Sequence, residues 1–272
     1  MQSLQIDIKD LEDLIQERLR AFYSRRVQIL QELKLEELLS KNLYLFRSTG
    51  VATAAELIEE LMKSRLIKSD ETIFGKQFFE AIVQRVGGGE EANQLGMDVV
   101  IETEDTYTVI EVKSASNWKN ARMGRGVKAD FDKAYERFRA RGLQKRFVGM
   151  LGQSTGRTNC DADVDSGRIY VIRSGQMFWQ EITGDPDFYL KLIQLMKDYP
   201  LRLRPDYLTA WSNTFNKMVK KFSDIYVTSE GDINWEGLIQ ANSGSTPPVQ
   251  LKPELVEDQL EIEKFDDGSG LN

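Results

Sequence analysis

Apolar side chains recur every three to four residues through the first third of the chain and every second residue in its middle. Leu11, Leu14, Ile15, Leu19 and Phe22, then Leu30, Leu33, Leu35, Leu38 and Leu39, predict a pair of amphipathic helices between residues 7 and 47. Thr53 heads a further helix, with Glu56 three residues on in the spacing of a capping box. Ser69 or Asp70 is expected to cap another helix running through Glu71 to Val86, which the run Gly87-Gly88-Gly89 then stops.

The period changes to two at residues 97–102 and 107–113. Rich in Val, Ile, Tyr and Thr, these segments predict a β-hairpin around the polar turn Thr103-Glu104-Asp105-Thr106. A basic, glycine-rich loop from Asn117 to Gly126 leads into a helical pattern over residues 127–142. Residues 146–152 and 168–175 read as two more strands on either side of a polar loop, 153–167. Helix is expected in the latter half of 176–200, ending before Pro200, and again between Pro205 and Phe222. From about Asn242 the composition turns to Ser, Gly, Pro and acids, as in a flexible tail. The order of elements predicts a mixed α/β (α+β) fold with a central sheet flanked by helices.

Composition narrows the chemistry. The chain has no histidine, which removes imidazole bases, Ser-His-Asp enzymes and histidine-ligated zinc. Its one cysteine, Cys160, allows neither an internal disulfide nor a thiolate metal cluster. Hydrolytic chemistry is left with carboxylates, lysine and a hard cation such as Mg²⁺. With no apolar run of about 18 residues and an acidic, polar amino terminus, the sequence predicts a cytoplasmic protein without a membrane span.

A formal net charge of -7 speaks against a nucleic-acid partner, but the charge is unevenly placed. Residues 113–157 hold twelve Lys and Arg against three acids, a local net of +9, whereas residues 243–272 hold two lysines against seven acids, a net of -5. The basic stretch is a candidate phosphate-facing surface; the alternative is a solvated helix with ordinary surface charge.

The hairpin carries the sharpest chemical signal. Along a strand Glu111 and Lys113 share one face, and Ile110 and Val112 the other. Closing the hairpin at its polar turn pairs 102 with 107, 100 with 109 and 98 with 111, so Asp98 faces Glu111. Like charges directly opposed destabilise a sheet, and a divalent cation held by both carboxylates relieves that repulsion. Asp98, Glu111 and Lys113 thus suggest a metal-assisted, phosphodiester-hydrolysing site. The competing reading is a solvated hairpin face on which Glu111 and Lys113 pair as surface charges.

Asp98, a short gap, then Glu111-Val112-Lys113 at the end of an apolar strand, after a helix carrying Glu71 and Glu80 and before a helix and strand, resembles the PD-(D/E)XK nuclease superfamily. Met97 stands where that family's name has proline. The stretches "ETIFGKQFFE", "GMDVVIE", "EVKSASNWKN" and "SGQMFWQEITGDPDFY" further resemble a type II restriction endonuclease of the PmeII-type family, over roughly residues 10 to 225. This resemblance implies a restriction-endonuclease-like core with Asp98 and Glu111 as Mg²⁺ ligands and Lys113 as catalytic lysine. It also implies an assisting helical glutamate, taken as Glu71 with Glu80 the alternative. The chain then divides into an added N-terminal helical region (1–68), the nuclease core with C-terminal helices (69–241) and the acidic tail (242–272).

Ser114, Asn117, Trp118, Lys119, Asn120, Arg122 and Arg125 follow the lysine directly, and Arg157 and Asn159 lie in the second polar loop. Amides and guanidiniums of this kind read base edges and hold phosphates; Trp118 either stacks on DNA or covers the site. Asp161, Asp163 and Asp165 resemble part of a calcium loop but lack its other ligands. Phe178, Trp179, Phe188 and Tyr189 are expected to be packing residues. The reading that results is a Mg²⁺-dependent, site-specific endonuclease of double-stranded DNA, acting as a homodimer alongside a genetically linked DNA methyltransferase. The alternatives are a repair or recombination nuclease of the same fold and a non-catalytic DNA-binding protein.

Overall fold

The computed structural model describes residues 6–91, 96–114, 121–165 and 167–245. Helix α1 (Ile8–Glu32) starts at Asp7, whose carboxylate accepts the backbone N–H of Lys9. Its apolar stripe serves two cores: Leu11, Ile15 and Leu19 pack against the sheet region, and Leu30 joins a separate helical cluster. Short helices α2 (Leu35–Leu39) and α3 (Leu43–Ser48) follow. Helix α4 (Ala54–Phe74) begins at the expected cap, the Thr53 hydroxyl accepting the Glu56 N–H while the Glu56 carboxylate reaches back to the Ala52 N–H.

No new helix starts at Ser69 or Asp70. Helix α4 runs through both, and through residue 68, into a π-helical turn, Gly75–Glu80, and then α5 (Ala81–Val86). The two capping candidates have tertiary and helical partners instead. Ser69 Oγ bonds back to the Arg65 carbonyl, and the Asp70 carboxylate takes both Nε (2.9 Å) and a terminal nitrogen (2.8 Å) of Arg26, whose guanidinium lies over the Tyr207 ring. The glycine run ends the rod as expected: Gly87 and Gly89 donate to carbonyls of the last turn, and Gly88 has a positive φ.

The sheet has six strands: β1 (Glu90–Glu91), β2 (Val99–Glu102), β3 (Thr106–Lys113), β4 (Arg146–Gln153), β5 (Cys160–Asp165) and β6 (Arg168–Ser174). Their order is β1-β2-β3-β4-β6-β5. β3, β4 and β6 are parallel neighbours, and the outer pairings are antiparallel. The hairpin register follows the expectation, with Glu102 opposite Tyr107 and Val100 opposite Val109. Strand β4 is central and mostly buried, which explains the run of residues without charge from Phe147 to Gly152. Gly152 lets it lie against the Phe178 ring, since a Cβ there would collide with that ring.

Helix α6 (Ala121–Ala140) crosses from β3 to β4 and covers one face through Phe131, Ala134 and Phe138. It starts inside the segment expected to be loop. The other face packs on α1, α5, α7 (Gln176–Thr183) and α8 (Phe188–Met196). Helix α7 and strand β5 depart from the sequence reading. β5 has too little apolar patterning to announce itself and forms by antiparallel pairing with β6, with Asp161 ion-paired to Arg173. Pro205 lies inside α9 (Tyr199–Tyr226), and Pro200 occupies its first turn, where a missing N–H matters least.

Leu57, Ile58, Leu61, Met62 and Leu66 of α4, Met218 and Phe222 of α9, and Leu238 of α10 (Trp235–Ser243) build the helical cluster. The assigned tail lies outside the described residues from 246 onward. Among the described residues no helix is long and apolar enough to cross a membrane.

Candidate active site

Met97 is buried against the α6 face of the sheet, which anchors the residue after it. The Asp98 N–H donates to the Ile110 carbonyl (3.1 Å), just before the paired stretch that opens with Val99 opposite Ile110. One carboxylate oxygen of Asp98, Oδ2, accepts the Val112 N–H at 2.7 Å, so the side chain is held by the strand it faces. Glu111 and Lys113 project from β3, and Lys113 Nζ donates to Glu111 Oε1. The half-buried setting of this pair distinguishes it from two surface charges in water.

The helical glutamate that meets this pair is Glu80. Its carboxyl is pushed up to about 7 by burial first, then by the negative charge of Asp98 and, more weakly, of Glu111; Lys76 and Lys113 oppose the shift. Asp98 is raised by burial, against the Val112 N–H and the charges of Lys113 and Lys76. Glu111 is raised by burial and by Asp98, against its bond to Lys113. Burial thus raises all three carboxyls, Asp98 further raises Glu80 and Glu111, and the charge of Lys113 opposes the shift at each.

Glu71 is exposed, and its charge is not among those acting on Asp98 or Glu111. Glu71 belongs to α4, whereas Glu80 closes the π-helical turn that follows it. No local signal in the sequence separates the two glutamates: the buried Phe78 and Ile82 stand two residues to either side of Glu80, which is not same-face spacing on a helix.

Asp98 and Glu111 could supply carboxylate oxygens to a hard cation, the donor type Mg²⁺ requires. Among the described residues no three acidic, cysteine or histidine side chains converge as a ligand set. A cation held by Asp98 and Glu111 alone would leave most of its coordination shell to water, backbone and a phosphate oxygen.

Of the expected DNA contacts, Asn117, Trp118, Lys119 and Asn120 lie outside the described residues. Arg122 and Arg125 fall in the first turns of α6. Ser114 is half-buried and bonded within the chain: its hydroxyl approaches the Glu71 carbonyl (3.5 Å), and its own carbonyl accepts the hydroxyls of Ser154 (2.7 Å) and Thr155 (3.3 Å). Arg157 is exposed. Asn159 shapes its own loop, its Oδ1 accepting the Ser174 N–H at 3.1 Å and its Nδ2 donating to the Arg157 carbonyl at 3.4 Å. Arg157 and Asn159 line a cleft of about 780 Å³ whose other wall includes Trp179, Tyr189 and Met177. Phe178, Trp179 and Phe188 are core residues, as expected.

Residues 9–200 match the family described as Type II restriction endonuclease EcoO109I. The match supports the restriction endonuclease resemblance and does not rest on the PmeII-type likeness. No curated protein matches the chain.

Proposed function

From the premise that the chain belongs to the type II restriction endonuclease EcoO109I family, we propose that it hydrolyses phosphodiester bonds of double-stranded DNA at a specific short sequence, with Mg²⁺ held by Asp98 and Glu111. The observation that carries this reading is the group of half-buried acids, Glu80, Asp98 and Glu111, whose carboxyls are all raised, gathered around Lys113 at the end of β3.

When bound, the cation would acidify water and stabilise charge building on the phosphate. Asp98, fixed by the Val112 N–H, and Glu111 would place it at the end of the sheet. Lys113, now bonded to Glu111, supplies a positive charge beside the reacting phosphate and a donor to orient the attacking water. Glu80, poised near neutrality, accepts a hydrogen bond or a proton from that water through its carboxylate. Arg122, Arg125, Arg157 and the segment 117–120 would contact DNA, phosphate by charge and base edges by amide and guanidinium donors. A homodimer on a two-fold symmetric site would cut both strands, in the cytoplasm, alongside a DNA methyltransferase protecting the same sequence.

Digestion of a long DNA with Mg²⁺, followed by sequencing of the ends, tests this reading. Discrete fragments sharing one terminal sequence are expected. A continuous smear would indicate a shape-reading repair or recombination nuclease, and binding without cutting a non-catalytic DNA-binding protein.

A further inference from the structure

β3 and β4 leave the sheet side by side, with Lys113 in register with Gln153. Both carry chemistry beyond that point. Lys113 is the proposed catalytic lysine, and the chain after Gln153 enters the loop that bears Thr155, Arg157 and Asn159. Strand ends of this kind fray unless something holds them, because their last carbonyls and N–H groups have lost the ladder.

Ser154 does the holding. Its N–H donates to the Lys113 carbonyl (2.9 Å) and its hydroxyl to the Ser114 carbonyl (2.7 Å). Its own carbonyl accepts the indole N–H of Trp179 at 3.2 Å. The backbone N–H, hydroxyl and backbone carbonyl of a residue only 6% exposed therefore link the lysine-bearing strand to helix α7. Thr155 adds a second, longer hydroxyl bond to the same Ser114 carbonyl.

The loop that follows cannot shift independently of α7. The Gly175 N–H donates to the Gln153 carbonyl (2.9 Å), and Gly175 has φ +53°. A Cβ on it would strike the Gly156 carbonyl, so loop and helix are in close backbone contact. Ser154, Thr155 and Arg157 meanwhile line the 780 Å³ cleft on the same side of the molecule.

We infer that Ser154 is a positioning residue that couples occupancy of the 155–159 loop by DNA to the placement of Lys113. A base edge or phosphate seated on this loop fixes Thr155 and Arg157, and the bonds at Ser154 transmit that constraint to Ser114 and Lys113. A wrong sequence leaves the loop unseated and the lysine displaced. Discrimination is then expressed in the chemical step as well as in binding. This inference rests on the proposed nuclease reading.

The test compares wild type, Ser154→Ala, Ser154→Thr, Trp179→Phe and Lys113→Ala. Each is assayed for cognate duplex binding in Ca²⁺, for single-turnover cleavage in Mg²⁺, and for the ratio of cleavage rates on the cognate site and on a site altered at one base. Ser154→Ala should bind within about twofold of wild type yet cleave on the order of tenfold to a hundredfold more slowly, since misplacement by about 1 Å has an effect of that size. Its discrimination ratio should fall about tenfold, and Ser154→Thr, which keeps the hydroxyl, should recover most of both. Trp179→Phe, which keeps a ring and loses the donor, should show the same pattern more weakly. That variant also carries the test should Ser154→Ala fail to fold.

Wild-type rate and discrimination in folded Ser154→Ala or Trp179→Phe overturn the inference. So does a parallel loss of binding, rate and thermal stability without change in discrimination, which marks a purely structural role. The underlying reading fails separately, if wild type does not cut or Lys113→Ala cuts normally.

Discussion

At the scale of single residues, the proposed function rests on two carboxylates that few atoms hold. Asp98 is fixed by one backbone N–H and Glu111 by one lysine. Asp98→Ala or Glu111→Ala should abolish Mg²⁺-dependent cleavage while the circular dichroism spectrum stays that of wild type, because each removes one of two carboxylate donors. Lys113→Ala should keep DNA binding in Ca²⁺ and lose on the order of a hundredfold or more in single-turnover rate. Normal cutting by any of the three would displace the site. Glu80 adds a pH dependence with a definite sign. Its folded carboxyl, at about 7, is above the ordinary 4.5, so the folded state binds the proton more tightly than the unfolded state does. The stability this contributes is fully present below about 4.5 and is lost as pH rises through about 7. Thermal midpoints measured without divalent ion should fall across that window, and Glu80→Gln should flatten the fall and melt above wild type at pH 8. Identical profiles for the two proteins would show that Glu80 does not titrate in the acidic cluster.

Among elements, the continuous rod from α4 through the π-helical turn to α5 decides which glutamate reaches the sheet, and β4 decides how closely the layers approach. Gly152 is the tightest point, where the strand backbone meets the Phe178 ring. Gly152→Ala should destabilise the protein by about 1–3 kcal/mol, because the ring must move within a filled core. Urea denaturation monitored by tryptophan fluorescence reads this directly, with the Trp179 ring tilted against Phe178 at 5.0 Å between centroids. An unchanged midpoint would mean that α7 adjusts freely, and would weaken the rigid link between α7 and the lysine strand as well.

Over the whole molecule, the uneven charge is partly absorbed by local pairing. Asp132 takes Lys128, Arg168 and the Tyr170 hydroxyl; Lys145 pairs with Glu102; Arg141 donates to the Tyr107 hydroxyl and lies near its ring. Arg141 is thereby a weaker candidate for phosphate than the local net of +9 suggests. Truncation after Ser245 removes the net -5 of the carboxy-terminal residues and leaves α10 intact, including the Asn242 bond to the Leu39 carbonyl. The truncated protein should cleave at the wild-type rate and bind non-specific duplex more tightly at low salt, with the difference fading as salt screens the repulsion. Anisotropy titrations at several salt concentrations measure it; loss of cleavage would place function in the tail.

What the sequence determined by itself was whatever depends on short-range pattern. The period of two over residues 97–102 and 107–113 predicted the hairpin and the register of its paired residues, because turn closure and alternation leave little freedom. The Thr53 cap and the glycine stop were legible for the same reason. Tertiary structure decided the rest. Asp70 has the character of a cap until Arg26, 44 residues away, takes its carboxylate. Strand β5 exists through its pairing with β6, a partner that composition does not announce. The choice of Glu80 over Glu71 depends on which face of one long helix is buried, and Ser154 gains its place at Lys113 only when two strands end together. Local propensity fixes which elements form; burial and long-range partners fix which of their side chains meet.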